Sequence, residues 1–300
     1  MTYGASDLAN TNDKLNAGPF GVYATKFGNM AIQNCDLMII LGCKLNPTLM
    51  GSNPKKFADG AIKIQVDIDK EELKEQNHLK TDLKICANLD DFIEKIQNLK
   101  NPRREKNIWI NKINEWKKIF PILKKSYILE KEFVNPYYFF DQLSEKIHRN
   151  SIIINDTSNN MVWMHQSFKI KSNQNIFSAY NHSPMGYSMP ASIGAHLANK
   201  NKQLISIIGD GGFQMNIQEL QTIFFFKIPV KIFVIQNKTL GMVTQAMDSW
   251  FKSDYVACDE GSGFSLPNFK KIIKGYKIKT FDIFNNKDVK PKLKKILSHK

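Results

Sequence analysis

Arginine is almost missing from this chain. Of its 42 basic residues only Arg103, Arg104 and Arg149 are arginine, and the rest are lysine. Sequence-specific readers of nucleic acid lean on the planar arginine fork, and the lysines here are spread rather than striped. The net charge of +14 therefore reads as a solvated lysine surface, and no nucleic-acid partner is expected. Cysteine is scarce as well. Cys35, Cys43, Cys86 and Cys258 form no Cys-x-x-Cys pair, which argues against a zinc site or a disulfide framework and suits a reducing cytoplasm. No apolar run approaches the ~18 residues that a membrane span needs. The opening Met1-Thr2-Tyr3-Gly4-Ala5-Ser6-Asp7 has neither the charged n-region nor the apolar h-region of a secretory leader. A cytoplasmic location without a membrane partner is the expectation. Internal repeats and low-complexity segments are lacking too.

What remains is an ordinary globular composition, 42% apolar and 23% charged over 300 residues, enough for two domains with their own cores. Asp36-Leu-Met-Ile-Ile-Leu-Gly42 and the run Ala61 to Asp69 are apolar stretches closing on Gly or Asp, the pattern of buried parallel strands. Helical spacing precedes the first (Tyr23 to Asn34) and recurs near Asp90 to Leu99. These features place a partial central α/β domain at 1–100. Asn101-Pro102-Arg103-Arg104 then opens a linker, 101–135, in which Trp109, Ile110, Ile113, Trp116, Ile119 and Phe120 predict an amphipathic helix. Asn135-Pro136 marks a fresh helix start, and a second domain is assigned to 136–300. There, strands are predicted at Ser151 to Asn155, Gln203 to Gly209 and Val230 to Ile235. Helices are predicted at Asn159 to Phe168, Ala191 to Ala198, Asn216 to Phe226 and Asp288 to His299. Strand–helix alternation implies parallel sheets with right-handed crossovers. The fold class expected is α/β, with two doubly wound parallel-sheet domains.

Open α/β sheets bind ligands beyond the carboxyl ends of their strands. Two strand ends carry matching chemistry, Gly209-Asp210-Gly211-Gly212 and Gln236-Asn237-Lys238-Thr239. Glycines let the backbone approach a phosphate, and the following helix offers its N-terminal N–H groups. Asp210 offers a carboxylate oxygen, Asn237 an amide oxygen and Thr239 a backbone carbonyl, a hard-oxygen set suited to Mg²⁺ completed by phosphate oxygens. The expected ligand is a metal-bridged diphosphate. Gly-Asp-Gly alone is a weak signal, and an Asn ending the next strand sharpens it.

With those residues in view, the chain resembles thiamine diphosphate-dependent enzymes, most closely their acetolactate synthase large-subunit-like group. The similarity rests on Gly-Asp-Gly-Gly-Phe-Gln-Met-Asn-Ile-Gln-Glu-Leu (209–220), on Asn237, and on Met185-Gly-Tyr-Ser-Met-Pro-Ala-Ser-Ile-Gly-Ala195. In the first block it rests on Gly18-Pro-Phe-Gly21, the run Asn29 to Asp36, Leu41-Gly42 and Val66-Asp-Ile-Asp69. The resemblance implies that Asp210, Asn237 and the Thr239 carbonyl hold the metal. It implies that Gly209, Gly211, Gly212 and the turn Thr157-Ser158-Asn159-Asn160 surround the diphosphate. Met185 would support the bent cofactor, Ser183 and Met185 would meet the aminopyrimidine edge, and Leu240, Gly241 and Met242 would line the pocket. Gln236 stands where the family often has a second Asn. The implied chemistry is decarboxylation of a 2-keto acid, then ligation of the resulting enamine to an acceptor carbonyl, with the cofactor as electron sink.

The resemblance also implies parts found elsewhere. The activating glutamate belongs to a pyrimidine-binding domain that nothing here matches, so no catalytic residue is expected on this chain. Met1 falls inside the family's central domain, and the strand expected after Asp288 to His299 is missing. The expectation is a pyrimidine-binding domain supplied in trans by a separate polypeptide, or a homo-oligomer. The rival expectation is a non-catalytic remnant that keeps the fold. FAD is not expected, because the stretch Cys43 to Gly51 has no arginine. His165 and His182 are read as structural or rim residues, and Asp210 as a mere helix cap is the bland alternative to a ligand.

Overall fold

The computed structural model describes residues 1–74, 79–99 and 107–299, arranged in two units. One comprises Met1–Tyr3 with Asp13–Pro121, the other Gly4–Asn12 with Ile122–Lys300. The expected linker signal Asn101-Pro102-Arg103-Arg104 lies outside the described residues.

In the first unit a helix, α1 (Lys26–Gln33), precedes strand β1 (Leu37–Leu41). Thr25 caps α1, its hydroxyl accepting from the Gly28 N–H at 3.1 Å. Gly28 is required here, since a Cβ would fall 2.0 Å from the Pro19 carbonyl oxygen. A single turn, α2 (Pro47–Met50), follows, then β2 (Ile62–Asp67), β3 (Leu83–Cys86) and α3 (Leu89–Gln97). The strands pair in parallel in the order β1-β2-β3. Met38, Ile40 and Val66 are buried, while Leu37, Ile39, Leu41, Ile62 and Leu83 form an exposed apolar face. The expected amphipathic helix forms as α4 (Asn107–Ile119), packs against α1 and buries Trp116.

The second unit opens with a turn, α5 (Lys125–Ile128), and with α6 (Pro136–Lys146), capped by Asn135. Then come β4 (Ser151–Asn155), α7 (Asn159–Ser167), β5 (Asn175–Phe177), α8 (Ser188–Ala198), β6 (Gln203–Gly209), α9 (Asp210–Met215) and α10 (Glu219–Phe225). After β7 (Val230–Ile235) come α11 (Gly241–Trp250), α12 (Phe269–Gly275) and α13 (Asn286–Ser298). The sheet is parallel throughout, in the order β5-β4-β6-β7. Period-2 alternation sends side chains to both faces. Ile153, Ile205 and Ile207 pack under α6, α7 and α13 with Phe140, Leu143, Met164, Val289 and Leu293. Ile152, Ile154, Leu204 and Ile208 pack under α8, α9, α10 and α12 with Met189, Phe213, Leu220 and Phe269. Both faces are covered, as parallel sheets require.

Several details depart from expectation, helices α11 and α12 among them. The helix predicted over Asn216 to Phe226 forms only from Glu219 to Phe225, and a separate, unpredicted helix runs before it from Asp210 to Met215. Asn216 leaves helical geometry (φ −131°, ψ 29°) because its side-chain amide is drawn out to donate to the Gly186 carbonyl at 2.9 Å. The helix predicted from Ala191 starts at Ser188, whose N–H is taken by a buried carboxylate. Strands β3 and β5, of four and three residues, were not anticipated.

Candidate functional site

In the second unit β4, β6 and β7 are neighbours and parallel, so their carboxyl ends lie along one edge of the sheet. Each tip delivers polar groups to it. Asp210 opens α9 directly from β6 and is only 2% exposed. Its Oδ2 accepts from the backbone N–H groups of Asn237 (3.0 Å) and Lys238 (2.8 Å), and its Oδ1 accepts from Gly211 at 2.8 Å. One carboxylate thereby pins the turn after β7 to the tip of β6. The turn adopts left-handed backbone at Lys238 (φ 58°) and is closed by Asn237 Oδ1 accepting from the Thr239 N–H at 3.3 Å. Burial pushes the Asp210 carboxyl above its ordinary range, and the N–H bonds pull it back. Asn237 is exposed, and its amide oxygen, having accepted one hydrogen bond, keeps a lone pair for a ligand.

The remaining expected residues gather around this pair. A Cβ on Gly241 would lie 2.6 Å from Asn159 Nδ2 and 2.9 Å from Asn237 Nδ2, so the first residue of α7 and the β7 turn converge at that glycine. A Cβ on Gly211 would lie 2.9 Å from Leu240 Cδ2 and 3.0 Å from Met185 Cε, which sets both apolar side chains over the Gly-Asp-Gly segment. Leu240 is itself held by its N–H donating to the Cys258 carbonyl at 2.8 Å. Gly209 faces Asn160, whose Oδ1 is 3.4 Å from the position of an added Cβ. Thr157 and Ser183 share a hydroxyl hydrogen bond of 2.6 Å. Ser158 (φ 74°) and Ser183 (φ 47°) both hold left-handed backbone, a strain that accumulates at ligand sites. Met242 lies next to Gly241 on α11 and is half-buried.

A carboxylate absent from the expectations sits at the centre of this edge. Asp156, directly after β4, is 1% exposed. Its Oδ1 accepts from Thr157 (2.8 Å) and Gly186 (3.2 Å), and its Oδ2 from Ser188 (3.1 Å). Burial raises its carboxyl while these N–H bonds hold it down. Phe264, whose Cζ is 3.7 Å from the Gly211 Cβ position, was likewise unanticipated. Of the two histidines considered, His182 is exposed. His165 is buried in α7, where desolvation lowers it to about 4.

Comparison with known proteins decides what kind of chain this is. Residues 156–300 match the family described as thiamine pyrophosphate enzyme, C-terminal TPP binding domain, and residues 1–96 match its central domain. The chain belongs to the thiamine pyrophosphate enzymes. Its relatives include the acetolactate synthase large subunit of Cyanidium caldarium, 30% identical over 96% of this chain and 49% of that protein. The large subunit of Lactococcus lactis subsp. lactis is 31% identical over 94% of this chain and 47% of its own length. The probable large subunit of Methanocaldococcus jannaschii is 32% identical over 94% and 48% respectively. The chain thus spans about half the length of the curated relatives it matches.

The residues present suit the family's cofactor. Asp210 Oδ1 has accepted one hydrogen bond and keeps a lone pair for a cation. Asn160 is 4% exposed, and its Nδ2 has no partner, an N–H donor awaiting an acceptor beside Gly209. Among the described residues no cluster of three or more His, Cys, Asp or Glu could hold a metal. No helix among the described residues is long and apolar enough to cross a membrane.

Proposed function

We propose that this chain binds thiamine diphosphate through Mg²⁺ at the β4–β6–β7 edge, as the diphosphate-holding portion of an acetolactate synthase-like enzyme. The observation that carries this reading is the Asp210 carboxylate joining two strand tips through the Asn237 and Lys238 N–H groups, within a chain of this family.

Asp210, Asn237 and the Thr239 carbonyl would hold the cation. Asn159, Asn160, Gly211 and Gly212 would donate to or make room for the diphosphate. Met185 and Leu240 would form the apolar wall that excludes water from the cofactor. When bound, the cofactor supplies an electron sink for decarboxylating a 2-keto acid and joining the product to an acceptor carbonyl. This chain's share is binding and orientation. The group that activates the cofactor would come from a pyrimidine-binding domain outside these 300 residues, a reading supported by relatives about twice as long.

Calorimetry tests the assignment. Thiamine diphosphate with Mg²⁺ is expected to bind weakly to this chain and more tightly once the pyrimidine-binding domain is added. Removing Mg²⁺, or replacing Asp210→Ala, is expected to weaken binding at least tenfold, roughly 1.4 kcal/mol. Equal, tight binding by Asp210→Ala would defeat the proposal.

A further inference from the structure

The turn from Ser183 to Ser188 carries Met185, and the buried Asp156 carboxylate and the half-buried Asn216 amide both grip it. Asp156 accepts from the Gly186 N–H (3.2 Å) and the Ser188 N–H (3.1 Å). Asn216, at the end of α9, donates its side-chain amide to the Gly186 carbonyl at 2.9 Å. The residue after Met185 is therefore held at both its N–H and its C=O. Gly186 has φ +86°, backbone that an L-residue rarely adopts, so the turn needs such anchors. Gly212 leaves room for the grip. A Cβ there would lie 3.2 Å from Gly186 N and 3.3 Å from Asp156 Oδ1. Three backbone donors and the Ser188 side chain already occupy the Asp156 carboxylate, which fills its roughly four acceptor sites and leaves little capacity for a ligand.

We propose that Asp156 and Asn216 are positioning residues that clamp the Gly186 peptide groups and so fix Met185 against Gly211, shaping the ring-binding half of the pocket. This rests on the thiamine diphosphate reading above, and it separates two halves of the site. The Asp210–Asn237 half recognises metal and diphosphate; the bonds from Asp156 Oδ2 and Asn216 act on the turn that carries Met185, beyond the diphosphate. Charge-assisted bonds to a buried carboxylate are among the stronger ones, and α9 ties the clamp to the Gly-Asp-Gly segment itself.

The test uses the 300-residue chain with Asp156→Asn and Asn216→Leu, two probes, and a cofactor-independent arm. An Asn at 156 keeps an oxygen toward Thr157 and Gly186 and turns an NH₂ toward the Ser188 N–H, two donors face to face. Both variants are expected to lose about tenfold in affinity for Mg²⁺–thiamine diphosphate while binding Mg²⁺–pyrophosphate within about twofold of the original chain. Amide hydrogen exchange of the free chain is expected to accelerate at least about tenfold at Gly186 and Ser188, with the β6 amides unchanged. Equal losses for both probes, or unchanged exchange at Gly186 and Ser188, would overturn the clamp. If the unmodified chain bound neither probe, the cofactor reading would fall, and exchange would still decide whether these side chains hold the turn.

Discussion

At the residue scale, His165 gives the sharpest pH prediction. Burial lowers it from 6.5 to about 4, so the folded chain keeps it neutral where the unfolded chain would protonate it. The unfolded state binds the extra proton between those values, so this stabilisation is complete above pH 6.5 and is lost as pH falls toward 4. The size is about 3 kcal/mol by linkage. His165→Gln is expected to flatten urea-melt stability between pH 6.5 and 4 relative to the original chain, and parallel curves would refute it. Glycine makes the second prediction. Gly211 and Gly212 both oppose close neighbours, but those of Gly211 are the flexible ends of Leu240 and Met185, whereas Gly212 faces the Gly186 backbone nitrogen. Gly212→Ala is therefore expected to cost about 1–3 kcal/mol, and Gly211→Ala clearly less, measured by denaturant midpoints at constant m-value.

At the element scale, one side chain fastens the start of α13. Asn286, 5% exposed, accepts from the Asn135 N–H at 2.9 Å and donates to the Tyr127 (2.7 Å) and Ile128 carbonyls (3.2 Å). It thus joins α13 to α5 and to the start of α6. Asn286→Ala leaves these groups without their partner and is expected to cost about 2–4 kcal/mol, read as a lower urea midpoint; a loss below about 1 kcal/mol would show that water replaces it. Elements differed in how visible they were beforehand, and burial explains why. Strands β4, β6 and β7 are covered on both faces, so they read as largely apolar runs, broken only by Ser206 and Lys231, with tips marked by Asn or Gly. β5 has three residues, too few for any period to show. The start of α9 at Asp210 runs against the poor helix propensity of Gly-Gly, and packing of Phe213 into the core overrides it. Asp210 and Asn237 stood out because their side-chain types and spacing carry the chemistry. Asp156 did not, because its partners Gly186 and Ser188 are backbone N–H groups some 30 residues away, and an N–H has no letter in the sequence.

At the scale of the whole molecule, the net charge of +14 acts on folding and on ligand binding with opposite sign. Like charges in a folded chain repel, and added salt screens them within a Debye length of about 10 Å at 0.1 M. The ion pairs at hand do little to offset this, because pairs such as Lys74–Glu71 and Lys112–Glu115 are largely exposed on both sides and such pairs contribute about 0–1 kcal/mol. Lys169 differs in reaching the buried Asp141 at 2.6 Å. Raising NaCl from about 10 to 150 mM is therefore expected to raise the thermal midpoint. The same screening weakens the attraction of a cationic protein for a polyanion, so the affinity for Mg²⁺–pyrophosphate is expected to fall over the same range. A midpoint that drops together with the affinity would mean that attractive pairs, and not lysine repulsion, dominate the chain's electrostatics.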